Sequence, residues 1–180
     1  MMRFILLIVA VFIIWWIWAN THATQNQLGW SATSYVKPSD TVLQDILTDK
    51  QYSVTQQNDT DPWYMSDRSY LYNYQEWIYV DIVSWEPLFS SRDKYDSGTG
   101  RPAFSKPINS SLVTTKLDGS DNMIRTEVRS RYADSHLGHI FDDGPAPDGL
   151  RYCINSSSLR FISVKHMKDL WYGSYLYLFE

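Results

Sequence analysis

The sequence predicts a mainly β domain, in which an antiparallel sheet is flanked by short helices and preceded by an N-terminal membrane or signal segment. Three observations predict it: strand-like alternation in the second half of the chain, glycines between the alternating runs, and an apolar amino terminus. The length of 180 residues suits one domain with an extension. We therefore divide the chain into a signal peptide or membrane anchor (1–23), a polar tether (24–40) and the domain (41–180).

Composition narrows the classes of partner. The net charge of -4 and the charged fraction of 20% provide no basic face for a nucleic acid, so we expect no nucleic-acid partner. Aromatic residues make up 16% of the chain, which is enough for a dense core of mixed polarity. The sequence shows no internal repeat, and we expect a monomer.

The amino terminus carries an apolar run from Phe4 to Ala19, preceded by Arg3 and ending in a group of tryptophans. A membrane span needs ~20 residues and the core of a signal peptide ~7–15, so the length of this run falls between the two. Thr21-His22-Ala23 resembles a cleavage site, while tryptophans suit a membrane interface. A cleaved signal and an uncleaved membrane anchor both fit. Either places the domain on the extracytoplasmic side, in a periplasm or a secretory pathway.

Short helices are expected before the sheet and after it. Four apolar residues fall on one face of the first predicted helix: Val42, Leu43, Ile46 and Leu47. Thr48 with Gln51 resembles a capping box that opens a second helix. Residues 56–68 are predicted to form a loop, and a last helix is expected near 165–170.

Alternating patterns indicate strands at 77–84, 124–132 and 159–164. In the second run four charged residues alternate with apolar or small ones: Arg125, Glu127, Arg129 and Arg131. A strand gathers these charges on one face, whereas a helix would scatter them. That face fits a solvated surface with cross-strand ion pairs as well as a functional one. Six glycines are expected in the turns between runs: Gly98, Gly100, Gly119, Gly138, Gly144 and Gly149.

Cys153 is the only cysteine, so the chain can close no intramolecular disulfide and has no multi-cysteine metal site. A lone cysteine is commonly a small buried hydrophobic residue. The neighbours of this one favour another interpretation, because Arg151, the polar residues that follow and an upstream histidine pair would suit a thiolate nucleophile. From the residues alone, both interpretations stay open.

The histidine pair is His136 and His139, three residues apart. Such spacing can indicate a metal, but no third ligand with matching spacing follows, so we expect no zinc there. A pair of structural histidines is the commoner meaning of an isolated motif of this kind. The glycine-bounded turn between Lys94 and Phe104 is a weak signal by itself.

Three segments, taken together and in this order, resemble the methionine-R-sulfoxide reductases, the B type of peptide methionine sulfoxide reductase: KYDSGTGRPAF, RTEVRSRYADSHLGHIFDDGP and GLRYCINSSSLRFI. The resemblance runs from about Leu47 to Glu180 and leaves out the apolar segment and the tether. It implies a mostly antiparallel β fold with flanking helices. It also implies an oxidoreductase, a peptide-methionine (R)-S-oxide reductase, whose partners are oxidised proteins or peptides bearing methionine-R-sulfoxide.

The resemblance implies a role for each matching residue of the site. Cys153 would be the nucleophile, whose thiolate attacks the sulfoxide sulfur and which ends as a sulfenic acid. His139 matches the family histidine that protonates the oxygen, and a positioned acid typically contributes ~10²–10⁴-fold in rate. His136 matches a second histidine that helps to place the sulfoxide, and Asn155 matches an asparagine that supports the arrangement.

Further matching positions concern the substrate. Phe161 is similar to a family aromatic residue that lines the pocket for the substrate methyl group. Arg151 would favour the thiolate of Cys153 by its positive charge. Arg101 replaces a family tryptophan that walls this pocket, so we predict weak or altered substrate affinity. Trp85 stands where the family usually has glycine.

The chain lacks two cysteine features of the family. Members that bind structural zinc use four cysteines, and the corresponding residues here are Asp81, Ser84, Ser130 and Ala133. We therefore expect no zinc and no other cofactor, with Asp81 paired to Arg129 or Arg131 in place of the metal. The usual resolving cysteine falls at Thr99, so the resemblance implies reduction by an external thiol, from a thioredoxin-like protein, a glutaredoxin or a small thiol.

Two other classes of protein compete with a working reductase. A reductase-derived binding module would recognise oxidised methionine without turnover, because Arg101 spoils the pocket. A structural, membrane-anchored β domain would bury Cys153 as an inert residue. The intact segments around the nucleophile and the acid favour the enzyme.

Overall fold

The computed structural model describes residues 30–62, 70 and 74–180. The predicted signal or anchor (1–23) lies outside the described residues, as does part of the loop predicted for 56–68. Among the residues that are described, no helix is both long and apolar enough to cross a membrane.

Two helices, α1 (Asp40–Ile46) and α2 (Asp49–Gln57), precede the strands, and α3 (Val164–Met167) follows them. Nine strands are found between α2 and α3 in the described part of the chain: β1 (Trp77–Asp81), β2 (Pro87–Ser90), β3 (Lys94–Tyr95), β4 (Ala103–Phe104), β5 (Val113–Asp118), β6 (Arg125–Ser130), β7 (His136–Phe141), β8 (Arg151–Ile154) and β9 (Leu159–Ser163). The chain closes with a 3₁₀ segment, Gly173–Phe179.

The strands form two antiparallel sheets. The smaller sheet has three strands in the order β2-β1-β9, and the larger has six in the order β3-β4-β8-β7-β6-β5. Residues from both sheets build the main core: Tyr79, Leu88, Phe89, Phe104, Val113, Val128, Leu137, Ile154 and Leu159. The prediction of a mainly antiparallel β domain with short helices is therefore confirmed.

Helix α2 begins with the predicted capping box. The Oγ1 atom of Thr48 accepts a hydrogen bond from the backbone N–H of Gln51, whose side chain accepts one from the N–H of Thr48. The helix ends at Asn58, which takes the left-handed conformation with φ 59°. The loop predicted from residue 56 therefore begins slightly later.

The apolar face predicted for α1 is only half buried. Leu43 and Leu47 are inside, whereas Val42 and Ile46 are 43% and 54% exposed. Helix α1 packs against one small cluster, which includes Ile82, so a single narrow stripe of the helix is covered. The four-residue face is thus an over-prediction.

The described part of the predicted tether contacts the domain. The ring of Trp30 meets that of Tyr132 edge-on at 5.1 Å between centroids. Tyr35 packs on the cluster that also covers α1. These residues therefore add to the surface that the domain buries.

The charged side chains in the middle of β6 are buried rather than exposed to solvent. Glu127 and Arg129 are 2% and 8% exposed, and Arg129 Nη1 lies 2.6 Å from Glu127 Oε1. The interpretation of this face as solvated is therefore wrong for these two residues. Because a buried charge must be paired, their placement marks a polar site rather than a surface.

Buried carboxylates hold the two turns that correspond to the zinc-binding turns of the family. The Oδ1 atom of Asp81 accepts hydrogen bonds of 2.7 Å from the N–H groups of Val83 and Ser84. The Oε1 atom of Glu86 accepts from the N–H of Tyr132 and from the hydroxyl of Ser84. Glu86 thereby ties one turn to the other.

The predicted ion pair of Asp81 with Arg129 or Arg131 is wrong. Arg129 binds Glu127 instead, and Arg131 Nε donates to the carbonyl of Ser111. Asp81 instead accepts hydrogen bonds from the N–H groups of its own turn. Local backbone donors therefore replace the expected guanidinium.

Trp85 adopts φ 66°, the left-handed region that glycine occupies at little cost. This conformation explains why the family usually has glycine at the position. The indole ring lies 4.0 Å from the guanidinium carbon of Arg160, and the Tyr172 hydroxyl donates to the Trp85 carbonyl at 2.7 Å. These contacts offset the backbone strain.

Gly138 lies inside β7, so the expectation that every one of the six glycines occupies a turn is wrong here. A Cβ atom at this position would lie 2.1 Å from the carbonyl oxygen of Cys153. The register of β6 against β7 shifts between Val128 and Arg129, which marks a bulge. Glycine is thus required by the close approach of β8 beside an irregular strand pair.

Candidate active site

One row of residues crosses all six strands of the larger sheet. Consecutive members are direct cross-strand partners: Tyr95, Ala103, Cys153, His139, Glu127 and Lys116. Partners on antiparallel strands point to the same face, and the residues between them point to the other. The alternate residues Phe104, Val128 and Ile154 belong to the core. The thiol, the imidazole and the carboxylate therefore stand side by side on the face away from the core.

The thiol of Cys153 is nearly covered, with 5% of the residue exposed. The hydroxyl of Thr99, on the loop between β3 and β4, lies 4.0 Å from its sulfur. The position that corresponds to the resolving cysteine of the family is thus adjacent to the predicted nucleophile. Tyr95, in the same row, has a buried hydroxyl without a hydrogen-bond partner among the described residues.

His136 and His139 share this face although an odd spacing would separate them in a regular strand. Val128 pairs with Gly138 and Arg129 with His136, so Leu137 is left as the extra residue of the bulge. The two imidazole centroids are 5.4 Å apart. The bulge therefore converts an odd spacing into a pair of histidines on one face.

The two ring nitrogens of His136 differ in their surroundings. The Nδ1 atom lies 2.6 Å from Glu127 Oε1, while Nε2 is buried and has no hydrogen-bond partner among the described residues. Burial lowers the pKa of His136, against the opposing effect of the Glu127 carboxylate. The neutral ring therefore donates from Nδ1 to Glu127 and keeps a lone pair on Nε2.

Glu127 anchors this part of the site. Besides His136 it binds Arg129 at 2.6 Å and Lys116 at 3.1 Å. Burial alone would raise the pKa of Glu127, but the hydrogen bonds from His136, Arg129 and Lys116 hold it below its usual value. Glu127 is therefore an ionised carboxylate that fixes the orientation of an imidazole.

His139 has a carboxylate partner of its own. Its Nε2 atom lies 2.7 Å from Asp118 Oδ2, on the neighbouring hairpin. The N–H of Ser120 and the hydrogen bond to His139 hold the pKa of Asp118 well below its ordinary value. Arg125 also binds this carboxylate, at 3.2 Å. When His139 is protonated, the contact with Asp118 is an ion pair.

Arg151 lies two residues before Cys153 on β8 and therefore faces the same side. Its Nε and Nη2 atoms bind Asp143 at 2.7 and 2.8 Å, and its guanidinium carbon lies 4.4 Å from the centre of the Phe141 ring. The hydrogen bonds to Asp143 raise the pKa of Arg151, and the neighbouring Cys153 adds to the rise. The arginine is thus a fixed positive charge beside the thiol.

Asn155 ties the end of β8 to the loop that follows α2. Its Nδ2 donates to the carbonyl of Leu137, and its Oδ1 accepts from the N–H of Asp61 at 3.0 Å. The Asp61 carboxylate accepts in turn from the hydroxyls of Ser156 and Ser157 and from the N–H of Ser157. These bonds hold the chain immediately after Cys153 in place.

Arg101 lies at the edge of the same region. Its Nε donates to the carbonyl oxygen of Asp61 at 3.1 Å. The next residue, Pro102, accepts a hydrogen bond of 2.9 Å from the N–H of Ile154. The loop that carries Arg101 is therefore fastened to β8 next to Cys153.

Phe161 is not brought to the site. It lies on β9 of the smaller sheet, where its ring meets those of Trp77 and Tyr70 at 4.0 and 5.0 Å between centroids. It packs against the core, whereas Cys153 faces away from the core. The ring of Phe141, by contrast, lies near the site, with its centroid 6.5 Å from that of His139.

Sequence reasoning missed several residues of this face: Asp61, Tyr95, Asp118, Glu127, Phe141 and Asp143. Phe141 had a signal, because it follows His139 by two residues in a strand-like run. Asp118 and Glu127 had none by themselves, since only the strand register decides which carboxylate meets which imidazole.

The arrangement suits attack by sulfur with delivery of a proton. It combines a nearly buried thiol, two imidazoles on one face and a fixed guanidinium beside the thiol. A thiol near a positive charge is a better nucleophile, and an imidazole is a good proton donor near neutral pH. In the described residues no group of three or more His, Cys, Asp and Glu side chains is placed to hold a metal ion.

Residues 47–163 match the SelR domain. The match covers more than half of the chain, and the chain belongs to the SelR family, the B-type methionine-R-sulfoxide reductases. The resemblance inferred from the three segments is confirmed.

One relative shows how far the likeness extends. Over 147 residues, which are 82% of this chain, the sequence is 57% identical to the peptide methionine sulfoxide reductase MsrA/MsrB of Vibrio cholerae. The aligned part makes up 38% of that protein, so the chain spans well under half the length of this relative.

Proposed function

We propose that this chain reduces methionine-R-sulfoxide in oxidised peptides and proteins, as a peptide-methionine (R)-S-oxide reductase. The observation that carries the proposal is the cross-strand pair of Cys153 and His139, with His136 on the same face. Membership of the SelR family and the identity to a methionine sulfoxide reductase support the substrate class.

In the proposed first step, the thiolate of Cys153 attacks the sulfoxide sulfur. The bond between that sulfur and its oxygen breaks as the oxygen receives a proton, because expulsion of a bare oxide would be prohibitive. The attack leaves a bond between the two sulfurs. The departing hydroxide then adds to the Cys153 sulfur, and the bond between the sulfurs breaks with its electron pair on the substrate sulfur. Cys153 thus ends as a sulfenic acid, and methionine is released. The sulfoxide sulfur is thereby reduced, and the sulfur of Cys153 is oxidised.

The two histidines take different parts in this proposal. His139 lies directly opposite Cys153 and is paired with Asp118, which favours its use as the proton donor. His136 stays neutral and is held by Glu127, so its Nε2 would accept a hydrogen bond from the oxygen once that is protonated. Asn155 supports the segment that carries the nucleophile.

The sulfenic acid must then be reduced from outside, since the chain has one cysteine. An external thiol attacks the sulfenic sulfur and water leaves, which gives a mixed disulfide. A second thiol then releases Cys153 and departs as part of a new disulfide. We expect a thioredoxin-like protein, a glutaredoxin or a small thiol as donor, acting on the extracytoplasmic side if the apolar run from Phe4 to Ala19 directs the chain there.

The experiment that tests this function compares the R and S epimers of a methionine sulfoxide peptide with dithiothreitol as donor. We expect turnover of the R epimer alone and its loss in Cys153→Ser. A double variant, Cys153→Ser with Val36→Cys, restores a thiol at a position that is 76% exposed, and it should stay inactive. Turnover of the S epimer, or R turnover that survives Cys153→Ser, would contradict the proposal.

A further inference from the structure

Arg101 brings a charge to a position where the family has an apolar wall, and its contacts leave most of its guanidinium open. The side chain is partly exposed, and Nε donates to the carbonyl oxygen of Asp61 at 3.1 Å. The two terminal nitrogens, Nη1 and Nη2, bond to no other group in the described part of the chain. One hydrogen bond therefore orients the guanidinium, and its two terminal nitrogens stay available to bind a ligand.

The other arginines of the site are paired with carboxylates. Arg151 makes a two-pronged contact with Asp143, and Arg129 binds Glu127. The residue that Arg101 touches is acidic too, but the contact is with its backbone carbonyl. A positive charge without a carboxylate partner is therefore left at the edge of the site.

The carboxylate of Asp61 binds two serines and makes no ion pair with Arg101. Both of its carboxylate oxygens are taken, by Ser156 and Ser157, and the residue is 2% exposed. Its N–H donates to Asn155. Asp61 therefore holds Arg101 through its backbone carbonyl, while its carboxylate is directed to the serines.

The loop that carries Arg101 lies next to Cys153. Thr99, two residues before Arg101, has its hydroxyl 4.0 Å from the Cys153 sulfur. Pro102 accepts from the N–H of Ile154, the residue after Cys153. The loop is thereby held beside Cys153 on both sides of Arg101.

A planar guanidinium with free terminal N–H groups matches the geometry of a carboxylate. We propose that Arg101 selects methionine sulfoxide with a carboxylate close by, from a neighbouring acidic side chain or from the carboxyl end of the substrate. The inference rests on the proposed function and names a preferred class of substrate for it. Arg101, which replaces the pocket tryptophan, would then contribute to substrate selection.

The test uses two peptides that differ only in the residue next to methionine-R-sulfoxide, aspartate in one and asparagine in the other. With the wild-type chain we expect kcat/KM to favour the acidic peptide about tenfold, the ratio that about 1.4 kcal/mol gives. The advantage should appear in KM rather than kcat and should shrink as salt is added. A second pair of peptides, ending in methionine-R-sulfoxide with a free carboxyl in one and an amidated carboxyl in the other, distinguishes the two sources of the carboxylate.

Two variants test whether Arg101 causes the preference for the acidic peptide. Arg101→Gln and Arg101→Trp should both turn over the two peptides equally, and Arg101→Trp should gain on the neutral peptide because it restores an apolar wall. Lys37→Gln, which removes a charge from an exposed position before α1, should keep the wild-type preference. Equal kcat/KM for both peptides in the wild type, or a preference that survives Arg101→Gln, would overturn the inference.

A binding measurement keeps this inference separate from the proposed function. Calorimetry with Cys153→Ser reports affinity for the same peptides without chemistry. Tighter binding of the acidic peptide, lost in Cys153→Ser with Arg101→Gln, supports the role of Arg101 even if no peptide is turned over. Turnover of both peptides without any difference in affinity contradicts that role and leaves the proposed function intact.

Discussion

Cys153 and His139 are direct partners across β7 and β8 of the larger sheet. Opposed residues of antiparallel strands have Cβ atoms about 4.5–5.5 Å apart, so the sheet itself brings thiol and imidazole together. A site built on strands is held more rigidly than one built on loops. The proposed nucleophile and acid are therefore held as neighbours on one sheet.

The approach of β8 to β7 at Gly138 should tolerate no side chain. We expect Gly138→Ala to destabilise the fold by about 1–3 kcal/mol, because its Cβ would meet the Cys153 carbonyl oxygen at 2.1 Å. Gly119→Ala is the matched control, since no atom lies within 4 Å of a Cβ there. Urea unfolding measures both variants. Equal midpoints for Gly138→Ala and the wild type would show that the strands are not packed this closely.

Glu127 should act through His136 rather than on the substrate. Glu127→Gln removes the charge that orients this imidazole and leaves Arg129 without its buried partner. We expect kcat to fall about tenfold or more, with a shifted pH profile and a smaller change in KM. Glu76→Gln, which breaks an exposed pair with Arg92, is the control and should match the wild type. A profile of unchanged shape in Glu127→Gln would exclude the positioning role.

Glu86 should make stability depend on pH. Burial, with the nearby Asp81 charge, raises the pKa of Glu86 from 4.5 to about 7. As the pH rises, the folded chain therefore keeps the Glu86 proton to a higher pH than the unfolded chain does. The resulting stability is present below pH 4.5 and is lost as the pH rises from 4.5 to about 7.

Glu86→Gln tests this dependence. The amide oxygen can still accept from Tyr132 and Ser84 without a charge. We expect the variant to be more stable than the wild type at about pH 8 and similar to it at about pH 5, as measured by urea unfolding. A variant that loses stability equally at both values would show that the carboxyl is not what titrates.

Thr99→Cys should give the chain an internal resolving thiol. Its side chain would stand where the Thr99 hydroxyl now lies, 4.0 Å from the Cys153 sulfur. After one reduction of substrate, the new thiol should attack the sulfenic acid, release water and form a disulfide. Mass spectrometry should then find a disulfide and no sulfenic acid that dimedone can trap.

Val36→Cys is the control for Thr99→Cys, because it adds a thiol at an exposed position in the tether. It should leave the sulfenic acid of Cys153 open to dimedone. A trappable sulfenic acid in both variants would contradict the adjacency of position 99 and Cys153.

The sequence predicted the secondary structure well where a local residue pattern is enough to define an element. The alternation around Glu127 located β6, and Thr48 with Gln51 located the start of α2. Neither pattern could show that Glu127 is buried, because its exposure depends on which strand pairs with β6 and in which register. The same limit applies to Asp118, which meets His139 only through the fold of the hairpin.

Bulges and side-chain direction set a second limit on what the sequence could predict. An odd spacing between His136 and His139 implies opposite faces in a regular strand, and only the bulge beside Gly138 reverses this. Phe161 was expected at the substrate by resemblance, yet β9 belongs to the other sheet and turns the ring into the core. Arg101 was singled out by the resemblance, but its hydrogen bond to the Asp61 carbonyl is visible only in the structure.

A single-turnover reaction without any thiol donor tests the central claim most directly. The purified chain is mixed with an excess of methionine-R-sulfoxide peptide, and both products are quantified by mass spectrometry. We predict one methionine formed per chain, with one added oxygen located on Cys153, and no reaction of the S epimer. Methionine formed without oxidation of Cys153, or no methionine at all, would contradict the assignment of Cys153 as the nucleophile.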